Sequence, residues 1–223
     1  MIQGSKYSFV YPNTLIFFTG APVSGKSTLT PLLTASIENC VMQPMDVVRL
    51  LSQEFELLKP KPQQNPFVFY GSTDAYTQIG NGSYSSDSLI RGFKEYSMAV
   101  TQLLFSLFAK LNPEDIENMI IEGVQLMPEI VAPFLNRSGN KLIVLTSTEE
   151  QIALNRQKVF GDNQRLHEKY STDKLMLIQN ELVDQSKKIS KNKALVTQNI
   201  GSYEDTIQII LQFLVNSGSI KKQ

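Results

Sequence analysis

A glycine-rich segment that ends in a lysine and a hydroxyl residue is the clearest chemical signal in this 223-residue sequence. Residues 20–27 read Gly-Ala-Pro-Val-Ser-Gly-Lys-Ser and satisfy the phosphate-binding pattern G-x-x-x-x-G-K-[ST], so we call them the P-loop. Glycines allow a tight turn in which successive backbone N–H groups converge on phosphate oxygens, and the helix that follows adds its positive dipole end. Lys26 can reach the terminal phosphates of a nucleoside triphosphate, and the Ser27 hydroxyl can ligate Mg²⁺. The segment therefore predicts binding of a nucleoside triphosphate with Mg²⁺.

Two acids at the ends of predicted strands could complete this chemistry. Glu122 ends the apolar run 119–121, where an acid behind a P-loop holds the Mg²⁺ shell or orients the nucleophile; a strand-end acid without a role is the alternative. Asp46 follows the second predicted strand and could take the proton from an acceptor hydroxyl, or it could simply stabilise a helix N-terminus. Arg49, three residues further on, could bind an anionic substrate through its guanidinium, or it could be a solvated surface arginine.

Basic residues are concentrated after the fourth predicted strand. We predict that residues 150–170 form a lid whose cations neutralise charge during phosphoryl transfer, although a plain exposed charged helix would show the same composition. The cations of this segment are Arg156, Lys158, Arg165 and Lys169. The predicted catalytic residues are Lys26, Asp46, Glu122, Arg156 and Arg165. His167, the single histidine, is assigned no catalytic role.

Strands and helices alternate along the whole chain. Apolar, β-rich runs predict strands at residues 14–19, 39–43, 118–121, 141–146 and 194–197. Helical patterns predict helices at residues 28–37, 47–58, 88–111 (capped by Asp87), 126–135, 147–159, 171–188 and 202–215. Pro31 predicts a kink or an early end of the first helix, and residues 217–223 are expected to fray.

This alternation predicts an α/β chain with the P-loop NTPase fold: a five-stranded parallel sheet with helices on both faces and a lid. Right-handed crossovers place the loops that follow the strands along one edge of such a sheet. Asn199, after the fifth strand, should therefore lie near the P-loop. The predicted nucleotide-binding residues are Gly20, Ala21, Pro22, Val23, Ser24, Gly25, Lys26, Ser27, Thr28 and Asn199.

The length fits a single domain over residues 1–223. Within it, residues 59–86 are irregular and rich in proline, glycine and aromatic side chains, which indicates an ordered insertion on the substrate side rather than a simple linker.

Bulk composition narrows the function classes. Lys+Arg and Asp+Glu both number 21, and this balance argues against a dedicated nucleic-acid binder, which would carry an excess of basic residues. The lone Cys40 favours a reduced, cytoplasmic location, and no apolar run is long enough to span a membrane. Residues 192–195 resemble a guanine-reading N-K-x-D motif, but Leu195 replaces its acid, so ATP is preferred over GTP. The sequence contains no L-S-G-G-Q-like signature of transporter ATPases.

Several segments, taken in order, resemble one family. They are residues 18–29, 45–49, 71–73, 92–93, 120–128 (Ile-Ile-Glu-Gly-Val-Gln-Leu-Met-Pro), 167–170 and 197–199, which together span most of residues 14–212. The chain thus resembles the 2-phosphoglycerate kinase family of P-loop kinases, and the E-G-V-x-L-x-P segment is the most specific part of the resemblance.

Membership would imply transfer of a phosphoryl group from ATP, with Mg²⁺, to a hydroxyl of a small molecule. It would also imply that Asp46, Arg49, Ser72 and Thr73 face this acceptor. The chain departs from the family at Gln125, where histidine is typical. It also begins close to the first strand, without room for the N-terminal regulatory region of archaeal members.

The sequence therefore predicts an ATP-dependent kinase for a small, anionic, 2-phosphoglycerate-like metabolite, with an undetermined oligomeric state. Two alternatives stay open. One is a nucleotide-dependent regulatory or switch ATPase, and the other is a kinase acting on a nucleotide or a nucleic-acid end.

Overall fold

The computed structural model describes residues 6–111, 116–199 and 202–223. In chain order the strands are β1 (Tyr7–Phe9), β2 (Leu15–Gly20), β3 (Val41–Pro44), β4 (Met119–Glu122), β5 (Lys141–Thr146), β6 (Ala194–Gln198) and β7 (Ile220–Lys222). The helices are α1 (Lys26–Ala35), α2 (Met45–Leu57), α3 (Ser86–Lys110), α4 (Pro128–Val131), α5 (Glu149–Phe160), α6 (Gln164–Lys169), α7 (Thr172–Ser186) and α8 (Tyr203–Asn216).

A five-stranded parallel sheet in the order β3-β4-β2-β5-β6 forms the centre of the chain. Strand β2 lies in the middle, where Phe17 pairs in register with Ile121 of β4 and Leu142 of β5. All six residues of β2 are buried, as expected for a parallel strand covered on both faces. The predicted fold class and all five predicted strands are confirmed.

Alternating residues of β2 supply two separate cores. Leu15 and Phe17 pack with the α2, α3 and α7 side of the sheet, whereas Ile16 and Phe18 pack with the α1 and α8 side. This division follows from the two-residue period of a strand, which sends neighbouring side chains to opposite faces. The helices on both faces therefore hold β2, and the P-loop that follows it, from two directions.

Three local predictions are corrected. Helix α1 continues through Pro31 to Ala35, so it does not end at the proline, whereas a kink there stays a prediction. Pro31 lies on the exposed side, where water can satisfy the carbonyl that loses its donor. Helix α3 is capped by Ser85, whose side chain accepts from the Ser88 backbone N–H, and Asp87 lies in the first turn. Residues 220–222 do not fray, because β7 pairs antiparallel with β1 and buries Ile220.

The irregular segment 59–86 contains three short 3₁₀ helices, Lys61–Gln63, Pro66–Phe69 and Ala75–Gln78. The last two pack on α3. Gly92 of α3 permits this packing, because a Cβ at that position would meet the backbone of Ala75 and Tyr76. Among the described residues, no helix combines the length and hydrophobicity needed to cross a membrane.

Gly92→Ala tests this packing, because helix propensity and the backbone contact predict changes of opposite sign in the free energy of unfolding. Helix propensity alone predicts stabilisation by about 1 kcal/mol. The backbone contact predicts destabilisation by roughly 2 kcal/mol, since a methyl group would be forced against a neighbouring chain segment. Denaturant unfolding measures the change in the free energy of unfolding. Met98→Ala, at an exposed position on the same helix, is the control. A more stable Gly92→Ala protein would contradict the described contact between α3 and residues 75–76.

Candidate active site

The P-loop leaves β2 at Gly20 and enters α1 at Lys26. Gly25 precedes the helix with a φ of 98°, a left-handed conformation that favours glycine. A Cβ on Gly25 would also lie 2.8 Å from the Asn199 amide nitrogen. Val23 adopts a φ of 57°, which is uncommon for a β-branched residue and indicates local strain. The loop backbone therefore adopts a conformation that suits Gly25 but is unfavourable for Val23, so other parts of the protein must hold it.

Side chains from three other segments hold the carbonyl groups of the P-loop. Asn155 of α5 donates to the Val23 carbonyl at 2.8 Å. Ser147 and Asn199, which follow β5 and β6, donate to the Ser24 carbonyl at 3.2 Å and 3.4 Å. These bonds satisfy the carbonyl oxygens of Val23 and Ser24, while the first N–H groups of α1 have no intrahelical partner. The arrangement suits an anion at the helix N-terminus.

Lys26 is buried and donates to the Ala21 carbonyl at 2.9 Å. Burial lowers the pKa of Lys26, while the negative charges of Glu122 and Asp46 act in the opposite direction. Lys26 is thus partly neutralised by acids of the protein. An anionic ligand at the loop mouth would stabilise the charged form of Lys26, which burial disfavours.

Glu122 is buried at the end of β4, beside the P-loop. Burial raises the pKa of Glu122; Lys26 lowers it, Asp46 raises it further, and a hydrogen bond with the Ser27 side chain lowers it. A buried carboxylate next to a hydroxyl provides the oxygen ligands that Mg²⁺ prefers. In the described part of the chain, no group of three or more His, Cys, Asp or Glu could form a metal cage. Ser27 and Glu122 therefore fit a magnesium ion that takes its other ligands from phosphates and water.

A cleft of about 570 Å³ opens beside the P-loop and extends towards α2 and residues 69–72. Its lining contains the P-loop residues Pro22, Val23, Lys26 and Ser27, the predicted substrate residues Asp46, Arg49 and Ser72, and Glu122. Thr73 is not brought into the lining, and its buried hydroxyl has no partner among the described residues. Residues that are distant in the sequence, Asp46, Ser72 and Glu122, therefore line one cleft together with the P-loop.

Asp46 and Arg49 form the wall of the cleft that belongs to α2. The side chain of Asp46 is 81% exposed, so it is open to a ligand, and its Oδ1 lies 3.7 Å from Nε of the half-buried Arg49. This pair places a carboxylate and a guanidinium side by side. The first can accept a hydroxyl proton, and the second can bind an anionic group.

Lys169 is the predicted lid cation that reaches the cleft, where it pairs with Asp74 at 2.6 Å. Arg156 instead holds the lid together, because its guanidinium donates to the Thr172 hydroxyl at 2.7 Å and the His167 carbonyl at 2.6 Å. Arg165 is exposed on α6 and is not among the residues that line the cleft. The structure thus separates the four predicted lid cations into one at the cleft, one in a structural contact, one at the surface and a fourth, Lys158, which lines a separate cavity.

Tyr96 of α3 and Gln125 form a polar pair in the cleft lining that sequence reasoning missed. The Gln125 amide donates to the Tyr96 hydroxyl at 2.7 Å. Burial raises the pKa of Tyr96, so its hydroxyl stays protonated and can donate to a ligand. The only signal in the sequence is the position of Gln125, where histidine is typical of the resembled family; a tyrosine within a helix gives no such signal.

A second cavity of about 350 Å³ adjoins the P-loop and shares Val23, Lys26 and Ser27 with the cleft. It is lined by Val23, Gly25, Lys26, Ser27, Thr28, Asn155, Lys158, Val159 and Tyr203. Phosphates on the P-loop would thus adjoin both the cleft and this cavity. One contains the aromatic ring of Tyr203 at the start of α8, and the other contains the acids and Arg49.

Comparison with known proteins supports the fold. The chain is similar to the crystal structure of TT1252 from Thermus thermophilus, with a TM-score of 0.52, 15% identity and coverage of 91% of this chain and 96% of that chain. It is also similar to a gluconokinase from Sinorhizobium meliloti 1021, with a TM-score of 0.50, 12% identity and coverage of 92% and 93%. The sequence matches no protein-family model and no curated protein. The chain thus has the P-loop NTPase fold, and the 2-phosphoglycerate kinase family stays a resemblance.

Asn155→Leu tests the role of the side chains that hold the P-loop. Loss of one neutral hydrogen bond to the loop should weaken MgATP binding by roughly fivefold to tenfold. Calorimetric titration measures this, with Asn216→Leu as the matched control. Asn216 accepts from Gln212 one helical turn away, just as Asn155 accepts from Gln151, but Asn216 does not contact the P-loop. Equal losses in both variants would show that the Val23 contact is irrelevant.

Glu122→Gln tests the electrostatics around the buried Glu122 carboxylate. Because the folded state raises the pKa of Glu122, its ionised form destabilises the ligand-free protein at neutral pH. This cost disappears as the pH falls through the folded-state pKa towards the ordinary value. The variant should therefore raise the melting temperature by a few degrees at pH 7 and progressively less under acidic conditions. Glu95→Gln, at an exposed site on α3, serves as the control. A lower melting temperature for Glu122→Gln at pH 7 would contradict the conclusion that the ionised Glu122 carboxylate destabilises the folded protein.

Proposed function

We propose that this protein is an ATP-dependent kinase that transfers the γ-phosphoryl group to a hydroxyl of a small, anionic metabolite. The observation that carries the proposal is that one cleft is lined both by Lys26, Ser27 and Glu122 and by Asp46 and Arg49. The first three suit the phosphates and Mg²⁺ of a nucleotide, and the last two suit an acceptor with a hydroxyl and an anionic group.

In the proposed complex, ATP phosphates occupy the P-loop, and the nucleoside extends into the second cavity next to Tyr203. Lys26 contacts the terminal phosphates, and Ser27 with Glu122 would hold Mg²⁺, which supplies charge neutralisation between the phosphates when bound. Asn199 and Asn155 act through the loop, because their bonds go to its carbonyl groups. Thr28 faces the second cavity.

Asp46 orients the acceptor hydroxyl and receives its proton. The acceptor oxygen then bonds to the γ-phosphorus as the bond between this phosphorus and the bridging β–γ oxygen breaks, and ADP leaves. Arg49 and Lys169 bind the anionic part of the acceptor, and Ser72 and Tyr96 offer hydroxyl groups to it. The cleft volume of about 570 Å³ fits a small metabolite, and a 2-phosphoglycerate-like molecule carries the expected charge.

We further propose one domain over residues 1–223, in which 59–86 shapes the acceptor site and 150–170 forms the lid. The Lys169–Asp74 ion pair joins these two segments at the cleft. Arg156 supports the lid through its contacts with α6 and α7. Arg165 would contribute to catalysis only after a movement of α6.

A screen of acceptors tests the proposed reaction. Phosphorylated and unphosphorylated hydroxy acids are incubated with MgATP, and ADP and the phosphorylated product are quantified together. At least one acceptor should yield product in proportion to ADP, and Asp46→Asn should reduce kcat by roughly 100- to 10,000-fold, as expected for loss of a general base. Glu95→Gln, exposed on α3 and outside the cleft lining, is the control.

The two alternative functions predict different outcomes of the same screen. ATP hydrolysis without any phosphorylated acceptor, stimulated only by a partner protein, would contradict the kinase proposal and favour a switch ATPase. Product formed only on a nucleotide or a nucleic-acid end would contradict the assignment of a small anionic metabolite.

A further inference from the structure

Helix α2 has an inverted distribution of polar and apolar side chains. The side facing the protein contains the buried Ser52 and the half-buried Arg49, Gln53 and Glu56. The side facing water, which we call the outer face of α2, contains Val47, Leu50, Leu51, Phe55 and Leu58, exposed by 48%, 55%, 48%, 54% and 81%. An amphipathic helix normally buries its apolar stripe. The outer face of α2 therefore has the composition of an interaction surface, which a binding partner covers.

The polar side of α2 is fixed by specific contacts, so the helix cannot rotate to bury its outer face. Gln53 donates to the Val68 carbonyl at 2.9 Å, and the Glu56 carboxylate accepts from the Asn65 backbone N–H at 2.7 Å. Met45 and Val48 are buried in the core beneath. The exposure of the outer face is thus a consequence of the fold.

We propose that the outer face of α2 is a dimer interface, in which the helix packs antiparallel against α2 of a second copy of this chain. A two-fold axis level with Ser52 and Gln53 would set Val47 against Leu58 of the second copy and Leu50 against its Phe55. The same axis sets Asp46, at the start of the helix, level with Lys59, just past its end. Two apolar pairs thus face each other, Leu51 faces Glu54 of the second copy beside the axis, and opposite charges stand at the two ends. Apart from the Leu51–Glu54 pair, this is the self-complementarity that a two-fold interface requires.

The area of the outer face fits this assignment. Its side chains leave on the order of 500 Å² of apolar surface in water, and a standard interface buries about 800 Å² per partner, a little over half of it apolar. The outer face could therefore supply the apolar centre, with Asp46 and Lys59 at the polar rim. Glu54 is the one charged residue within the stripe, and the antiparallel register brings the two copies of it near the axis. Their repulsion would weaken the dimer.

The proposal does not depend on the reaction that the cleft catalyses, but it bears on the site. Helix α2 also carries Asp46 and Arg49, so pairing would hold the acceptor side of the cleft in place. Failure of the acceptor screen would leave the interface untouched, and a monomeric protein would leave the kinase proposal untouched.

Sedimentation velocity tests the oligomeric state. The full chain at about 50 μM should sediment with twice the monomer mass, because a dimer with a micromolar Kd is largely associated at that concentration. Leu51→Glu should weaken the dimer by at least about tenfold, as expected for a charge placed at the centre of an interface. Leu154→Glu, on α5 and 66% exposed, is the matched control and should leave the dimer intact.

Glu54→Gln provides a variant with the opposite expected sign, because it removes the like charges near the axis and should tighten the dimer several-fold. Circular dichroism and MgATP binding confirm that each variant is folded. A wild-type protein that stays monomeric overturns the proposal, even if a different protein binds the outer face. A dimer that responds equally to Leu51→Glu and Leu154→Glu also overturns it.

Discussion

The conformation of the P-loop is the constraint on which the rest of the site depends. Its N–H groups can point outward only if its carbonyl groups are satisfied elsewhere, and Ser147, Asn155 and Asn199 provide those hydrogen bonds. These three residues come from the ends of β5 and β6 and from α5, so the sheet order determines whether the loop can form. The left-handed backbone at Val23 and Gly25 is the local cost of that conformation.

The charges around the loop follow from the same geometry. Lys26 and Glu122 are buried next to each other, and burial displaces both pKa values in the direction that disfavours charge. A ligand with phosphates and a divalent cation would compensate both groups at once. On the other side of the cleft, Asp46 and Arg49 stay accessible because they lie at the start of α2 rather than beneath it. The site thus combines a buried half that suits phosphates with an open half that could accommodate a second molecule.

Sequence patterns predicted the sheet, the P-loop and the meeting of Glu122, Asp46 and Arg49, because strand ends in a parallel sheet converge on one edge. They failed where a side chain acts through a distant contact. Asn155 lies within a charged helix and shows its role only through the Val23 carbonyl. Arg156 was predicted to be catalytic, as was Arg165, but spacing could not show that Arg156 contacts Thr172 and His167 instead of the cleft. Likewise, the pairing of β7 with β1 depends on two ends of the chain that no local pattern connects.

The central claim is that the P-loop binds MgATP through Lys26 beside Glu122. Calorimetric titration of ATP into the wild-type protein and into Lys26→Met, with and without Mg²⁺, measures it directly. We predict one site per chain, tighter binding with Mg²⁺, and a loss of affinity of roughly 10- to 100-fold in the variant, as expected when a charge-assisted contact is removed. Equal affinity of the two proteins for MgATP would contradict the account.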